Sequence, residues 1–449
     1  MQILDYIVIF VFFLILSYIA LKSIKDKSTL KYWLNNRSSG LWLLTFSHVA
    51  SITIAAAVVG VVAAVYESGI SFAISSVIAV IVGMIVLALV AKKISQIPEE
   101  HRFTLVDVFK WRFGKSVKYP IFFLLITVLF LLTAVNIVAV TQLGSILTGL
   151  DYNVFLLISF VVVILYTTIG GMKTDLLTDS VQFWFMGAML IMLFSAGFLN
   201  NGFNLILELP KTHFDPFAFG GIGFLVGTIL IGGFVYLLNS ATWQRVFSAK
   251  SKKIGIKSLY LSIPFMAAFS ILIMGIGLFA AAMLKNVNPD QALYLLIIKL
   301  LPPGLIGLGY AGILSIILSS VDSLLVGGST IISREFSKSI TLKNARLTTL
   351  VLGVIATLTA FLFPNIINLV LFASFLMIAL VPCLLFGLYS KRVNYKQALV
   401  SMIGATIVLI ISSFFIYKIA FIPAALFGII AFYIPMKTAK NKTEIKESV

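Results

Sequence analysis

The chain has 449 residues, of which 60% are hydrophobic and only 11% charged, and its mean hydropathy is +1.10. A soluble chain carries about 25% charged residues, so a water-soluble globular domain is excluded. The formal net charge of +17 does not mark a nucleic-acid partner, because it is dispersed between apolar runs.

Those runs reach about 20 residues, the length a helix needs to cross a ~30 Å hydrocarbon core. Thirteen candidate spans lie at about 3–21, 41–66, 70–91, 119–149, 153–169, 176–200, 221–243, 258–284, 304–333, 348–363, 366–389, 397–417 and 419–436. They are numbered segments 1 to 13 below. Segment 1 has no basic stretch before it, whereas Lys22, Lys25, Lys27, Lys31 and Arg37 follow it. That is the pattern of a retained anchor with its N-terminus outside, not of a signal peptide. Of the 33 Lys and Arg residues, 29 fall on that same side of the membrane. Only Lys211, Lys285, Lys299 and Lys418 fall on the other. By the positive-inside rule the basic side is cytoplasmic, which puts Met1 outside and Val449 inside and requires an odd number of spans. The expected protein is therefore an all-α, multi-pass integral protein of a plasma or inner membrane, with the lipid bilayer as its surroundings.

Segment 2 holds a polar interruption, SHVASIT at 47–53, between two apolar stretches. His48 within it is the one intramembrane histidine, suited either to relaying protons or to hydrogen-bonded packing. Segment 6 begins with TDSVQ, where Asp179 is either an N-cap or, with Thr178 available for that task, free for another role. Segment 7 is interrupted in the same way, in LIGGFVYLLNSATWQR. Cys383, the single cysteine, rules out an internal disulfide framework and reads as a small buried hydrophobe.

Segment 9 contains SSVDSLL at 319–325. A charge at mid-membrane depth costs roughly 2.5–3.5 kcal/mol on insertion scales. Asp322 is surrounded by Ser319, Ser320 and Ser323, so one helix offers three hydroxyls and a carboxylate within five residues. Hard oxygen ligands suit a hard cation, here Na⁺ or H⁺; the alternative is a polar patch that joins helices by hydrogen bonds. Transporters place ions and substrate at discontinuous helices in corresponding positions of two inverted repeats. Interrupted segments 2 and 7 are five apart, which fits repeats of segments 2–6 and 7–11. No P-loop, Rossmann fingerprint, HExxH or CxxC pair is present. That excludes an ATP-driven pump, gives no sign of an enzyme, and implies no cofactor.

Three further stretches carry a resemblance. FTLVDVFKWRF (103–113), YTTIGGMKTDLLTDSVQ (166–182) and SSVDSLLVGGSTIISREF (319–336) resemble, in order, three elements of the sodium/solute symporters, the family of the sodium/proline, sodium/glucose and sodium/sialic acid transporters. LNNRSSG (34–40) and the Gln244–Arg245 pair resemble two more. The resemblance covers about residues 30–400 and implies the LeuT-type fold of two five-helix inverted repeats. It implies a main sodium site made by the backbone carbonyls of Ala50, Thr53 and Ile316 and the hydroxyls of Ser319 and Ser320. It also implies a possible second sodium site at Asp179, Asp322 and Ser323. The expected organisation is a peripheral span and basic loop (1–40), a first repeat (41–200), a second repeat (201–390), two peripheral spans (391–436) and a cytoplasmic tail (437–449).

The resemblance leaves the solute open. Where sugar-transporting relatives carry polar residues, this chain has Ile52, Ile54, Ala55, Ala56 and Ala57, with Phe72, Ala73 and Ile74 at the start of segment 3. The polar candidates for solute binding are Ser51, Asn136, Gln142, Tyr236 and Asn239. A sugar would leave hydroxyls poorly paired among so few partners, so an amino acid or monocarboxylate is favoured. The expected function is Na⁺-coupled symport of a small organic solute by alternating access, with Na⁺ as coupling ion. A proton-coupled carrier and a transport-silent sensor of the same fold are the alternatives. The stretch SREF (333–336) departs from the family's acidic ending. Sodium stoichiometry and oligomeric state are not specified by the residues.

Overall fold

The computed structural model describes residues 2–23, 29–169, 171–230, 232–336, 341–390 and 393–433. The 437–449 tail and the loop residues Lys25, Lys27, Lys338, Lys391 and Arg392 lie outside the described residues. Among the described residues nine helices are long and apolar enough to cross a bilayer, and a tenth crossing is the pair Leu41–Ile52 and Ala56–Ser68, bent by 58°. These ten match segments 1–4, 6 and 8–12. The three other candidate spans are also helical, one of them 18 residues long, one short and one broken. Segment 5 is the helix Tyr152–Ile169 and segment 13 the 13-residue helix Phe421–Tyr433. Segment 7 is split into Gly221–Leu230, a 3₁₀ stretch Gly232–Leu238 and Ser240–Ser248.

Burial orders these helices from centre to rim. In segment 9, 94% of the apolar window is enclosed by protein, against 22% in segments 1 and 12, so segment 9 is the axis and the other two face lipid. Segment 9 packs against segments 6, 4 and 10, and segment 4 packs against segments 11 and 10. Segment 3 packs against segment 8 and the 3₁₀ stretch of segment 7, which also touches segment 11. Small residues permit these approaches, as expected where packing rather than hydrophobicity joins helices in lipid. A Cβ on Gly83 of segment 3 would lie 2.0 Å from the Gly233 carbonyl oxygen and 2.4 Å from the Tyr236 ring. Gly83 therefore sets how closely the interrupted part of segment 7 approaches segment 3.

Segment 1 is held by a buried carboxylate. Asp5 accepts hydrogen bonds from the amides of Gly304 (2.7 Å) and Gly307 (2.8 Å) at the start of segment 9, and from the amide of Gln2 (2.8 Å). The first amides of a helix have no intrahelical partner, and a negative charge there is stabilised by the helix dipole.

On the basic face the SREF stretch has a clear role. Arg334 pairs with Asp107 at 2.9 Å, and Glu335 pairs with Lys118 at 3.1 Å and with Lys110. Lys110 also reaches Asp107 at 3.0 Å. The end of segment 9 is thus tied to the short helix Leu105–Phe113 and the start of segment 4. Partial burial disfavours the Lys110 charge, but its bonds to Glu335 and Asp107 outweigh that and hold its ammonium above the usual lysine range. This contribution is present in full at neutral pH, and is lost only as pH rises through that elevated value. Arg334 and Arg37 both lie over the Phe103 ring, at 4.1 and 5.2 Å, and Arg37 pairs with Glu99 at 2.8 Å.

Candidate functional site

The bend in segment 2 is where backbone acceptors become available. The Ile54 amide bonds the Ile52 carbonyl (2.9 Å) and not that of Ala50, and the Ala57 amide bonds Ile54 (2.8 Å) and not Thr53. The carbonyls of Ala50 and Thr53 thus lose their usual helical donors. In a membrane an acceptor released in this way needs another partner. The Ser319 hydroxyl of segment 9 donates to the Ala50 carbonyl at 2.8 Å. Ser320 donates to the Ile316 carbonyl at 3.0 Å, and the Thr53 hydroxyl folds back onto Val49 at 2.7 Å. Ala50, Ile316, Ser319 and Ser320 therefore share one buried junction between segments 2 and 9, with Thr53 at the adjacent break. All the oxygens offered are neutral. Such a set fits a monovalent hard cation that must bind and then leave.

Towards the basic face lies a charged cluster. Arg245, fully buried, donates through one guanidinium nitrogen to Asp175 (2.8 Å) and Asp179 (2.7 Å). Its Nε donates to the Ser47 hydroxyl at 2.7 Å, and Ser47 in turn donates to Asp179. Ser323 accepts from Arg245 and lies 3.1 Å from Asp175 Oδ1 and 2.6 Å from the Ser319 carbonyl. The cluster thus brings together Asp179 and Ser323 of the expected second site. Asp322 is buried one residue earlier, about 100° round the helix. The sequence reading did not place Asp175 or Arg245 here. The available signal was the i, i+4 spacing of Asp175 and Asp179, which puts both acids on one helix face. His48, next to Ser47, is fully buried, and neither ring nitrogen has a hydrogen-bond partner among the described residues.

A cavity of about 190 Å³ lies beside the bend. Ile52, Ile54, Ala56, Ala57, Phe72 and Ala73 supply much of its apolar wall, and Tyr236 and Asn239 are among its polar groups. Among the described residues that line it, none is charged. The Asn239 Oδ1 accepts from the amides of Ala241 (3.1 Å) and Thr242 (3.3 Å), capping the inner piece of segment 7. The other three solute-binding candidates lie outside this lining. The Asn136 amide pins the bend, its Oδ1 accepting from the Ala55 amide at 3.2 Å. Ser51 lies 3.5 Å from the His48 carbonyl. Gln142 lies near the C-terminal end of segment 4.

The interrupted segment 2 meets the unbroken segment 9 at an oxygen-lined junction beside a largely apolar cavity, the arrangement that suits a membrane carrier. The family model described as the sodium:solute symporter family matches residues 32–405, and the chain belongs to that family. A sodium/pantothenate symporter of Haemophilus influenzae is 26% identical over 94% of this chain and 93% of its own. A sodium/proline symporter of Staphylococcus aureus is 27% identical over 97% and 93%. Among solved structures, a substrate-bound, outward-open Na⁺-coupled sialic acid symporter superposes with a TM-score of 0.79 at 19% identity, covering 96% of each chain. A nucleobase-cation-symport-1 family transporter in a closed conformation gives 0.57 at 16% identity, covering 91% of this chain and 95% of that one. The protein is a sodium-coupled symporter of a small organic solute, and not an enzyme.

Proposed function

We propose that this symporter moves an amino acid or small monocarboxylate, with sodium bound at Ala50, Thr53, Ile316, Ser319 and Ser320. The observation that carries the reading is the Ala50 carbonyl, released at the segment 2 bend and met by Ser319 of segment 9. The cavity beside it supports the solute class. Its wall is mostly apolar and uncharged, and the helix Ala56–Ser68 begins at it, offering amides and a dipole to a carboxylate. Pantothenate and proline, carried by the two relatives, are both carboxylates. Tyr236 and Asn239 are polar contacts within reach, with the hydroxyls of Ser76, Thr228, Ser270 and Ser374 also in the wall; Ser51 and Asn136 act by shaping the bend, and Gln142 lies towards the entrance. A second sodium is held at Asp179, with Ser323 and Asp322 beside it. Of thirteen spans, ten form two inverted repeats, segments 2–6 and 7–11, and segments 1, 12 and 13 are peripheral. The packing supports this, since shifting by five pairs 6 on 9 with 11 on 4, and 4 on 10 with 9 on 5.

The test is gradient-driven uptake into proteoliposomes at fixed pH, with proline, pantothenate, lactate and glucose as probes. Uptake of a carboxylate driven by inward Na⁺, but not K⁺, is expected; uptake of glucose alone would overturn the solute class. The orientation is N-terminus outside and C-terminus cytoplasmic. A cysteine placed at Gln2 should then react with an impermeant thiol reagent from outside, and one at Ser448 only from inside. Both reacting from one side would contradict the odd number of spans.

A further inference from the structure

The two carboxylates around Arg245 are not equivalent. Both Asp175 oxygens are engaged, Oδ2 by Arg245 at 2.8 Å and Oδ1 by Ser323 at 3.1 Å. Asp179 Oδ2 takes Arg245 at 2.7 Å and Ser47. Asp179 Oδ1 has no partner among the described residues, although the residue is completely buried. A buried carboxylate oxygen left unpaired is costly. The cluster also holds two acids to one guanidinium, a negative excess in a low-dielectric setting where charges are normally balanced. Geometry and charge both mark Asp179 Oδ1 as the place for one more cation.

We propose that Asp175 is a positioning residue for the second sodium, acting through Arg245. This rests on the reading of a second sodium at Asp179. An arginine facing a single carboxylate prefers the two-pronged pairing in which both oxygens are taken. By sharing the same guanidinium nitrogen, Asp175 holds Arg245 to one oxygen of Asp179 and keeps the other available. It also supplies the charge that cancels Arg245, so Asp179 retains a full negative charge for the transported ion. Asp175 itself touches no sodium.

The test is equilibrium binding of ²²Na⁺ to the purified full-length protein, a readout independent of transport. Four forms are compared: wild type, Asp175→Asn, Asp179→Asn and the double variant Asp175→Asn/Arg245→Gln. Wild type is expected to bind two sodium ions and Asp179→Asn one. Asp175→Asn, in which Arg245 is free to close on Asp179, should bind one, with the second ion weakened at least tenfold. The double variant restores the net charge and removes the competing guanidinium, so it should bind two again. Retention of two ions by Asp175→Asn overturns the proposal. A double variant that stays at one ion also overturns it, because Asp175 would then act directly and not through Arg245. One ion in wild type removes the second site itself, a failure distinct from the other two. The main-site ion reports folding in every form. If Asp175→Asn binds none, the charge-balanced double variant decides alone.

Discussion

Replacing Ser319 and Ser320 together by alanine should raise the sodium concentration for half-maximal uptake by about 100-fold or more, while the protein still inserts and folds. Each hydroxyl offered to a charged partner contributes about 1.5–3 kcal/mol, and every 1.4 kcal/mol is a factor of ten in affinity. The lower end is the safer expectation, since the carbonyls of Ala50, Thr53 and Ile316 remain. Folding should survive because what the two serines give up is a single bond each, to Ala50 and Ile316, within a segment that is otherwise 94% enclosed. The measurement is initial uptake rate against sodium concentration, with the driving voltage clamped. An unchanged half-saturation would remove both serines from the sodium site.

Ala73→Trp should lower solute affinity by more than about 100-fold and leave sodium binding within about threefold of wild type, because it fills space and touches no sodium ligand. Ala73 is fully buried and lines the cavity. A cavity of about 150 Å³ holds a benzene ring, so an indole occupies most of the 190 Å³ found here. Overpacking costs about 1–3 kcal/mol, so the smaller Ala57→Leu is a useful companion, expected to weaken the solute about tenfold. Solute counterflow and ²²Na⁺ binding on the same preparation separate the two effects. Normal solute affinity in Ala73→Trp would place the solute elsewhere.

The spans were legible because hydropathy over about 20 residues reports membrane depth directly. What the pattern does not report is where a backbone leaves the α-helix. GGFVYLL has the same hydropathy whether α-helical or, as found at Gly232–Leu238, 3₁₀, so the glycines and Asn239 mark an interruption in segment 7 without showing the form it takes. The 58° bend of segment 2 was better marked, by the polar SHVASIT stretch. At the site, Ser319 and Ser320 stand out as hydroxyls in an apolar run. The carbonyls of Ala50 and Ile316 carry no side-chain signal and were reached only through the resemblance. Arg245 and Asp175 were missed because their pairing spans 70 residues, and nothing local to either residue announces the other. The SREF stretch was opaque for the same reason, as its partners Asp107, Lys110 and Lys118 are more than 200 residues away.

The Asp5 contact carries a consequence for biosynthesis. Its two glycine amide partners lie 299 and 302 residues further along the chain. At about 5–20 residues per second of translation, that interval is roughly 15–60 seconds. For that time segment 1 sits in the membrane with a carboxylate that has the Gln2 amide but neither glycine partner, and the charge is kept at the water boundary by being so near the end of the helix. Segment 6 offers segment 1 an earlier contact, Phe12 against Phe185, but the buried charge gains its glycine amides only when the start of segment 9 arrives. The first helix to be made is therefore among the last to be fully placed, and the contact that completes its placing reports that the core of the carrier is already present.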